Sequence, residues 1–225
     1  ITSRVTPLQI YYLNFDMIEG YEKLRDGIIK QVDAIPPVYD EEYVRDYYLV
    51  NGSFEKELSC LRLGLILGQL NHSVTKLLDV GYGNGSFLDR ASKVIKNCYG
   101  HDVGPAFPLP PQIKPVYNNA TSDYYDLITF FNSLEHIPDI DFIENLQCKY
   151  IAITVPWCHY FSDDWFETWK HRKPDEHIWH FNDESLTRFM SSKGYSVLHT
   201  SNVEDCLRGE PLGYPNYLTA IFKKG

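Results

Sequence analysis

Leu77-Leu78-Asp79-Val80-Gly81-Tyr82-Gly83-Asn84-Gly85-Ser86-Phe87-Leu88 reads as an apolar strand that passes through a glycine turn straight into a helix. Glycines are needed where the backbone takes dihedrals that a Cβ forbids, or where a ligand must approach main-chain atoms closely. On the C-terminal side, short apolar runs alternate with helical patterns, which is the signature of a parallel sheet built from βαβ units. Strands are expected at Lys76–Val80, Tyr99–Val103, Tyr125–Phe131, Tyr150–Val155, Tyr195–Thr200 and Tyr217–Phe222, with helices at Gly85–Lys96, Asp139–Leu146 and Asp183–Ser192. Asn182 or Asp183 caps the last helix and Gly194 closes it. Five prolines between Pro105 and Pro115 exclude a crossover helix of normal length there. On the N-terminal side, Leu8–Lys30 and Asp40–Leu70 carry apolar residues at helical spacing, broken by Pro36-Pro37, and read as a helical cap.

The chain has 225 residues, 44% of them hydrophobic, enough for a full core. Lys+Arg 21 against Asp+Glu 30 gives a net charge of −9, and the basic residues are not gathered, so a nucleic-acid partner is not expected. The most apolar stretch, Leu58–Leu70, is interrupted by Arg62, Gly64, Gly68 and Gln69 and is too short to span a bilayer. No membrane segment or signal peptide is expected. The five cysteines are widely spaced and never form C-x-x-C, which suits buried thiols in a reducing cytoplasm.

Asp102 stands seventeen positions after Gly85, at the end of the next strand. A carboxylate there can accept both hydroxyls of a ribose, so turn and acid together imply an adenosine-bearing ligand at the carboxyl ends of the strands. The pattern is D-x-G-x-G-x-G and not the G-x-G-x-x-G of dinucleotide folds: Ser86 falls where the third dinucleotide glycine belongs, and a P-loop lysine is absent. This pattern, followed by an acid on the next strand, resembles the class I S-adenosylmethionine-dependent methyltransferases. Asp126-Leu127-Ile128-Thr129-Phe130-Phe131-Asn132-Ser133-Leu134-Glu135-His136-Ile137-Pro138-Asp139 is similar to that family's fourth motif. Glu176-His177-Ile178-Trp179-His180-Phe181 running into Ser185-Leu186 and Gly194-Tyr195-Ser196-Val197 resembles a subgroup that includes ubiquinone-biosynthesis-type and many small-molecule methyltransferases.

The resemblance implies a Rossmann-like α/β fold, a mostly parallel seven-stranded sheet with flanking helices, preceded by the helical cap. The cap would occupy residues 1–70 and the cofactor-binding core 71–225, with an aromatic insertion at about 156–182. It further implies S-adenosylmethionine as cofactor and S-adenosylhomocysteine as product. Asp79, Gly81, Tyr82, Gly83 and Gly85 would hold the amino-acid portion, Asp102 with Val103 the ribose, Asn119 the adenine side, and Phe131 and Asn132 the methionine side. Relatives that bind a divalent metal through E-x-x-E-H have a glutamate where Asn132 stands, so no metal is expected. Tyr82, where the family has a small residue or Cys, and the bulky Trp157 beyond the fifth strand leave specificity open.

A hydroxyl acceptor must lose a proton, and histidine is the natural base near neutral pH. His136 is the first candidate, with His177 and His180 next. His159 is a weaker one, and His171, in the run Lys170-His171-Arg172-Lys173, reads as a solvated face. The aromatics Trp157, Tyr160, Phe161, Trp165, Phe166, Trp169 and Trp179 suit either a lid's own small core or stacking on a sugar or ring. Tyr39, Tyr43, Tyr47 and Tyr48 form a stripe that either packs the cap or closes over the cofactor. The function expected is O-methylation of a small molecule such as a sugar, nucleotide-sugar or phenol, by a monomer or homodimer. The alternatives are a protein side-chain methyltransferase and a non-catalytic cofactor-binding module on the same fold.

Overall fold

In a computed structural model, residues 18–40, 42, 45, 46, 54–70, 74–104, 107–117, 123–208 and 213–225 are described. In chain order the elements are β1 (Tyr21–Lys23), β2 (Ile29–Gln31), α1 (Glu55–Gln69), β3 (Lys76–Val80), α2 (Ser86–Ala91), β4 (Asn97–His101), β5 (Lys114–Pro115), β6 (Tyr125–Phe131), β7 (Cys148–Pro156), α3 (Asp163–Thr168), β8 (Trp179–His180), α4 (Asp183–Ser192), β9 (Tyr195–Ser201) and β10 (Tyr217–Lys224). Short 3-10 turns cover Leu134–His136, Asp141–Asn145 and Val203–Cys206.

The central sheet has seven strands in the order β5-β4-β3-β6-β7-β10-β9. The first five pair in parallel, and β10 runs antiparallel between β7 and β9. The order reverses between β4 and β6 on either side of β3, so a topological switch point lies over the carboxyl end of β3. Strand alternation divides the core. Leu77, Leu127, Phe131, Tyr150 and Ala152 pack with Leu63 and Ile66 of α1 and Phe87 and Leu88 of α2 on one face. Leu78, Ile128, Phe130, Ile151 and Ile153 pack with Leu186, Phe189 and Met190 of α4 on the other. This is why Leu127–Phe131 is apolar at nearly every position: both faces of β6 are covered.

Local signals set several boundaries. Asn182 accepts the Ser185 amide at 2.7 Å while Ser185 Oγ accepts the Asn182 amide at 3.0 Å, a reciprocal cap that starts α4. Gly194 ends it at φ +83. The helix expected at Gly85–Lys96 stops at Ala91, and the one expected at Asp139–Leu146 is a 3-10 turn, Asp141–Asn145.

The N-terminal expectation needs correction. The described part of Leu8–Lys30 is a hairpin of β1 and β2, turned at Gly27 (φ +93), and not a helix. Its second strand pairs antiparallel with β8, Lys30 against Trp179 and Ile29 against His180. Tyr21 and Ile29 join Cys158, Phe166 and Trp169 in a third small core. Part of the presumed cap therefore packs with the aromatic insertion. In the second stretch, α1 occupies the C-terminal half of the expected Asp40–Leu70 helix and contributes to the sheet's core. No described helix is long and apolar enough to cross a membrane.

Candidate active site

Three glycines take left-handed dihedrals at the carboxyl end of β3: Gly81 at φ +77, Gly83 at +55 and Gly85 at +75. A Cβ on Gly81 would lie 2.5 Å from Ser133 Cβ, so the turn packs directly against the segment that leaves β6. Ser133 reinforces this approach by donating its hydroxyl to the Val80 carbonyl at 2.6 Å. From the end of β4, Asp102 reaches across and accepts the Gly83 amide at 2.9 Å on Oδ2 and the Gly104 amide at 3.0 Å on Oδ1. The acid and the glycine turn singled out in the sequence are therefore in contact.

Beneath the turn, Asp79 is buried and accepts the Thr129 hydroxyl at 2.6 Å. Burial raises its carboxyl to about 7, against the pull of Thr129 and Arg62. Tyr82 and Phe131 are core residues: Tyr82 packs over Gly100, and Phe131 meets Phe87 edge to face at 4.7 Å under the Arg62 guanidinium. Val103 is exposed beside Asp102. Asn119, Tyr43, Tyr47 and Tyr48 lie outside the described residues. Tyr39 is described, and it bridges the cleft. Its carbonyl oxygen sits against Gly104, where any Cβ would collide with it, and its hydroxyl lies 3.0 Å from His136 Nδ1.

Asn132 follows β6 in a left-handed conformation at φ +53, and its side-chain oxygen accepts from Arg62 at 3.2 Å and Arg208 at 2.8 Å. Both guanidiniums also bond the fully buried Glu204. Burial would raise the Glu204 carboxyl, but Arg62 and Arg208 override it and hold it below the usual range. Sequence reading missed this group. Its one signal was Arg62, a lone cation within the apolar stretch Leu58–Leu70.

Of the three candidate bases, the structure brings together two. His136 and His177 meet edge to face at 4.7 Å, beside the carboxyl of Glu135. Each imidazole is tied through Nδ1 to a backbone carbonyl, His136 to Glu176 at 2.8 Å and His177 to His171 at 2.7 Å. A carbonyl only accepts, so Nδ1 carries the proton and Nε2 keeps its lone pair on both rings. Burial lowers His136 to about 4 and takes His177 well below its usual value. Burial likewise pushes Glu135 up to about 8, opposed by its own backbone amide, Asn132, Arg208 and Lys173.

His180 is elsewhere. It lies on β8 inside the box of Tyr21, Phe166 and Trp169, with Nε2 3.0 Å from the Arg172 carbonyl. His171 is buried against Asn216 and not solvated, because its ring fills the space beside Tyr217. His159 stacks between Trp157 and the exposed Phe161, at 5.6 and 5.3 Å. The absence of a metal was expected because Asn132 replaces a glutamate. Yet Glu135, His136 and His177 present one ligand atom each within 4.8 Å of the others, and His177 comes from a segment 41 residues away.

Residues 54–200, well over half of the chain, match the family model of a methyltransferase domain. The chain belongs to that methyltransferase family. Solved structures agree on the fold. A Haloferax volcanii chain solved in complex with the Trm112 methyltransferase activator superposes with a TM-score of 0.61, covering 84% of this chain and 99% of its own at 11% identity. An S-adenosylmethionine-dependent methyltransferase from Clostridium acetobutylicum gives 0.58, covering 82% and 98% at 12% identity. Magnesium protoporphyrin IX methyltransferase from Synechocystis, with SAH bound, gives 0.53, covering 76% and 83% at 12% identity. At such identities the likeness establishes the Rossmann-like methyltransferase fold alone. No curated protein matches the chain.

Proposed function

We propose that the chain transfers the methyl group of S-adenosylmethionine to an oxygen atom of a small-molecule acceptor, releasing S-adenosylhomocysteine. The observation that carries the reading is the contact between Asp102 and the left-handed glycine turn at the switch point of the sheet. The residues present fit such a cofactor. Gly81, Gly83 and Gly85 leave main-chain atoms unshielded, and each Asp102 oxygen accepts one amide while keeping a lone pair for a ribose hydroxyl. A buried carboxyl raised to about 7, Asp79, is the group that a ligand ammonium would stabilise in its charged form.

The cofactor supplies an activated methyl, and transfer is an in-line displacement that gains most from alignment and exclusion of water. The chain's part is to hold the acceptor and take its proton. His136, neutral at pH 7 and fixed through Nδ1, offers Nε2 as the base, with His177 beside it. Oxygen as the acceptor atom is favoured because a hydroxyl needs such a base. The stacked Trp157, His159 and Phe161 suit a sugar or aromatic acceptor. The net charge of −9 argues against a nucleic-acid acceptor. Five free thiols, three of them buried, favour a reducing, cytoplasmic setting.

Calorimetric titration with S-adenosylmethionine, S-adenosylhomocysteine and NAD, on wild type and Asp102→Asn, tests the reading. Binding of the first two at about micromolar Kd, weakened at least about tenfold in the variant, supports it. Binding of NAD alone, or of none, overturns it. A subsequent screen of saccharides, nucleotide-sugars and phenols against peptides decides the acceptor class, and turnover on peptides alone would replace the small-molecule reading with a protein methyltransferase.

A further inference from the structure

Glu135 sits in the 3-10 turn that follows β6, is 1% exposed, and neither of its oxygens has a hydrogen-bond partner among the described residues. A buried carboxyl without partners is costly to ionise, and its charged form calls for a partner of opposite charge. The ligand-bearing groups nearest its oxygens are two imidazoles, and the Asn132 amide and the charges of Arg208 and Lys173 also act on it. His136 Nε2 lies 3.9 Å from Glu135 Oε1, and His177 packs against His136 with its own Nε2 bearing a lone pair. Both rings are anchored through Nδ1–H on backbone carbonyls, the arrangement that orients histidines as metal ligands and fixes the tautomer that binds. Asn132 borders this space: its oxygen is taken by Arg62 and Arg208, and its amide lies toward the Glu135 carboxyl without completing a hydrogen bond.

We propose that Glu135, His136 and His177 form a binding site for a divalent transition-metal ion of the zinc or iron(II) class. Two neutral imidazoles and one carboxylate are a borderline-soft donor set, whereas magnesium and calcium select oxygen ligands. Ligands about 2.1 Å from a zinc ion stand roughly 3.4 Å apart in a tetrahedron, so donors within 4.8 Å of one another close on an ion by side-chain rotation. Three protein ligands leave a coordination position open. That position lies at the carboxyl end of β6. If the methyl-transfer reading holds, on which this step rests, an acceptor oxygen would be bound there and its proton acidified by the ion and released to solvent. His136 and His177 then act as ligands in place of the base role, because their Nε2 lone pairs are taken by the metal. Glu176, whose carboxylate is 3.9 Å from His177 Nε2 and is paired with Lys173 at 2.7 Å, is a further charged group beside the site.

The test uses the intact chain, stripped with a chelator and titrated with Co2+ as a visible probe. One equivalent should bind with d–d absorption, be displaced by Zn2+, and resist a hundredfold excess of Mg2+. Glu135→Gln and His177→Gln should each weaken Co2+ binding at least about a hundredfold. Glu135→Gln removes the unpaired carboxylate, so it should keep or raise the thermal midpoint of the metal-free chain while abolishing the rise that Zn2+ gives wild type. A purely structural role for Glu135 predicts a lower midpoint and unaltered metal binding.

The proposal is overturned by an absence of one-to-one binding, by displacement with Mg2+, by unchanged affinity in both variants, or by a thiolate-to-cobalt charge-transfer band that assigns the ion to cysteine. Titration of the same samples with S-adenosylmethionine separates the two readings. Cofactor binding without metal binding leaves the methyl-transfer reading standing and removes this one, and the reverse result does the opposite.

Discussion

Arg62 donates to both oxygens of Glu204, through Nε at 2.7 Å and a terminal nitrogen at 3.0 Å, and so locks α1 to the turn before β10 where solvent does not reach. Arg208 bonds the same carboxylate at 2.8 Å, and both guanidiniums share the Asn132 oxygen. Removing one partner of a buried ion pair leaves the others uncompensated, at a cost of about 3–5 kcal/mol. Glu204→Gln should therefore lower the free energy of unfolding by that much, read as a lower urea midpoint at an unchanged slope. A loss below about 1 kcal/mol would mean that water reaches the two arginines.

Asp79 gives the fold a dependence on pH. Its carboxyl is raised to about 7 in the folded chain by burial, against an ordinary value of 3.8, so between these values the folded state binds the extra proton. Stability contributed by the protonated form is fully present below pH 4 and is lost as pH rises toward 7. Asp79→Asn should flatten that limb and be the more stable protein at pH 8, by on the order of 4 kcal/mol. It should also bind S-adenosylmethionine more weakly. Denaturation at pH 5 and pH 8 checks the first, and calorimetry the second.

What could be read beforehand was local. The β3 turn, β6 and the Asn182 cap each announce themselves within about a dozen residues, through glycine spacing, an unbroken apolar run and a side chain that can cap its own helix. The hairpin at residues 21–31 could not be read so. Its apolar spacing fits a helix, and its strand identity depends on pairing with Trp179 and His180 some 150 positions later. The same holds for the site. Asp79, Asp102 and the glycines are near neighbours in sequence, whereas the junction of Glu135 and His136 with His177, and of Arg62 with Glu204, exists only once the sheet is assembled. His180 shows the converse: only three positions from His177 in sequence, it is carried by β8 into a different cluster.

Gly81 and Gly85 look alike in sequence but should respond differently to alanine. Both pay about 1–2 kcal/mol for a left-handed dihedral. Only at Gly81 does the new methyl meet a wall, Ser133 Cβ at 2.5 Å, whereas at Gly85 it meets Leu109 at an easy 3.4 Å. Gly81→Ala should lose at least about 2 kcal/mol more than Gly85→Ala, within the range of overpacking costs. Adding Ser133→Gly should recover part of the Gly81 loss and none of the Gly85 loss. Thermal midpoints of the four proteins decide it, and equal losses at the two glycines would refute the contact.

Tyr39 connects the two sides of the cleft, with its carbonyl on Gly104 beyond β4 and its hydroxyl on His136 beyond β6. These contacts put Tyr39 at the border of the space over the carboxyl end of β3. Tyr39→Ala should therefore accelerate release of S-adenosylhomocysteine by about tenfold with a smaller change in association, since most affinity differences reside in the off-rate. Tyr39→Phe keeps the ring against His136 and the carbonyl on Gly104, so it should keep release slow and lose only the hydroxyl contact. Stopped-flow displacement of a fluorescent cofactor analogue measures both variants. Equal release rates in wild type and Tyr39→Ala would show that the cleft opens by another route.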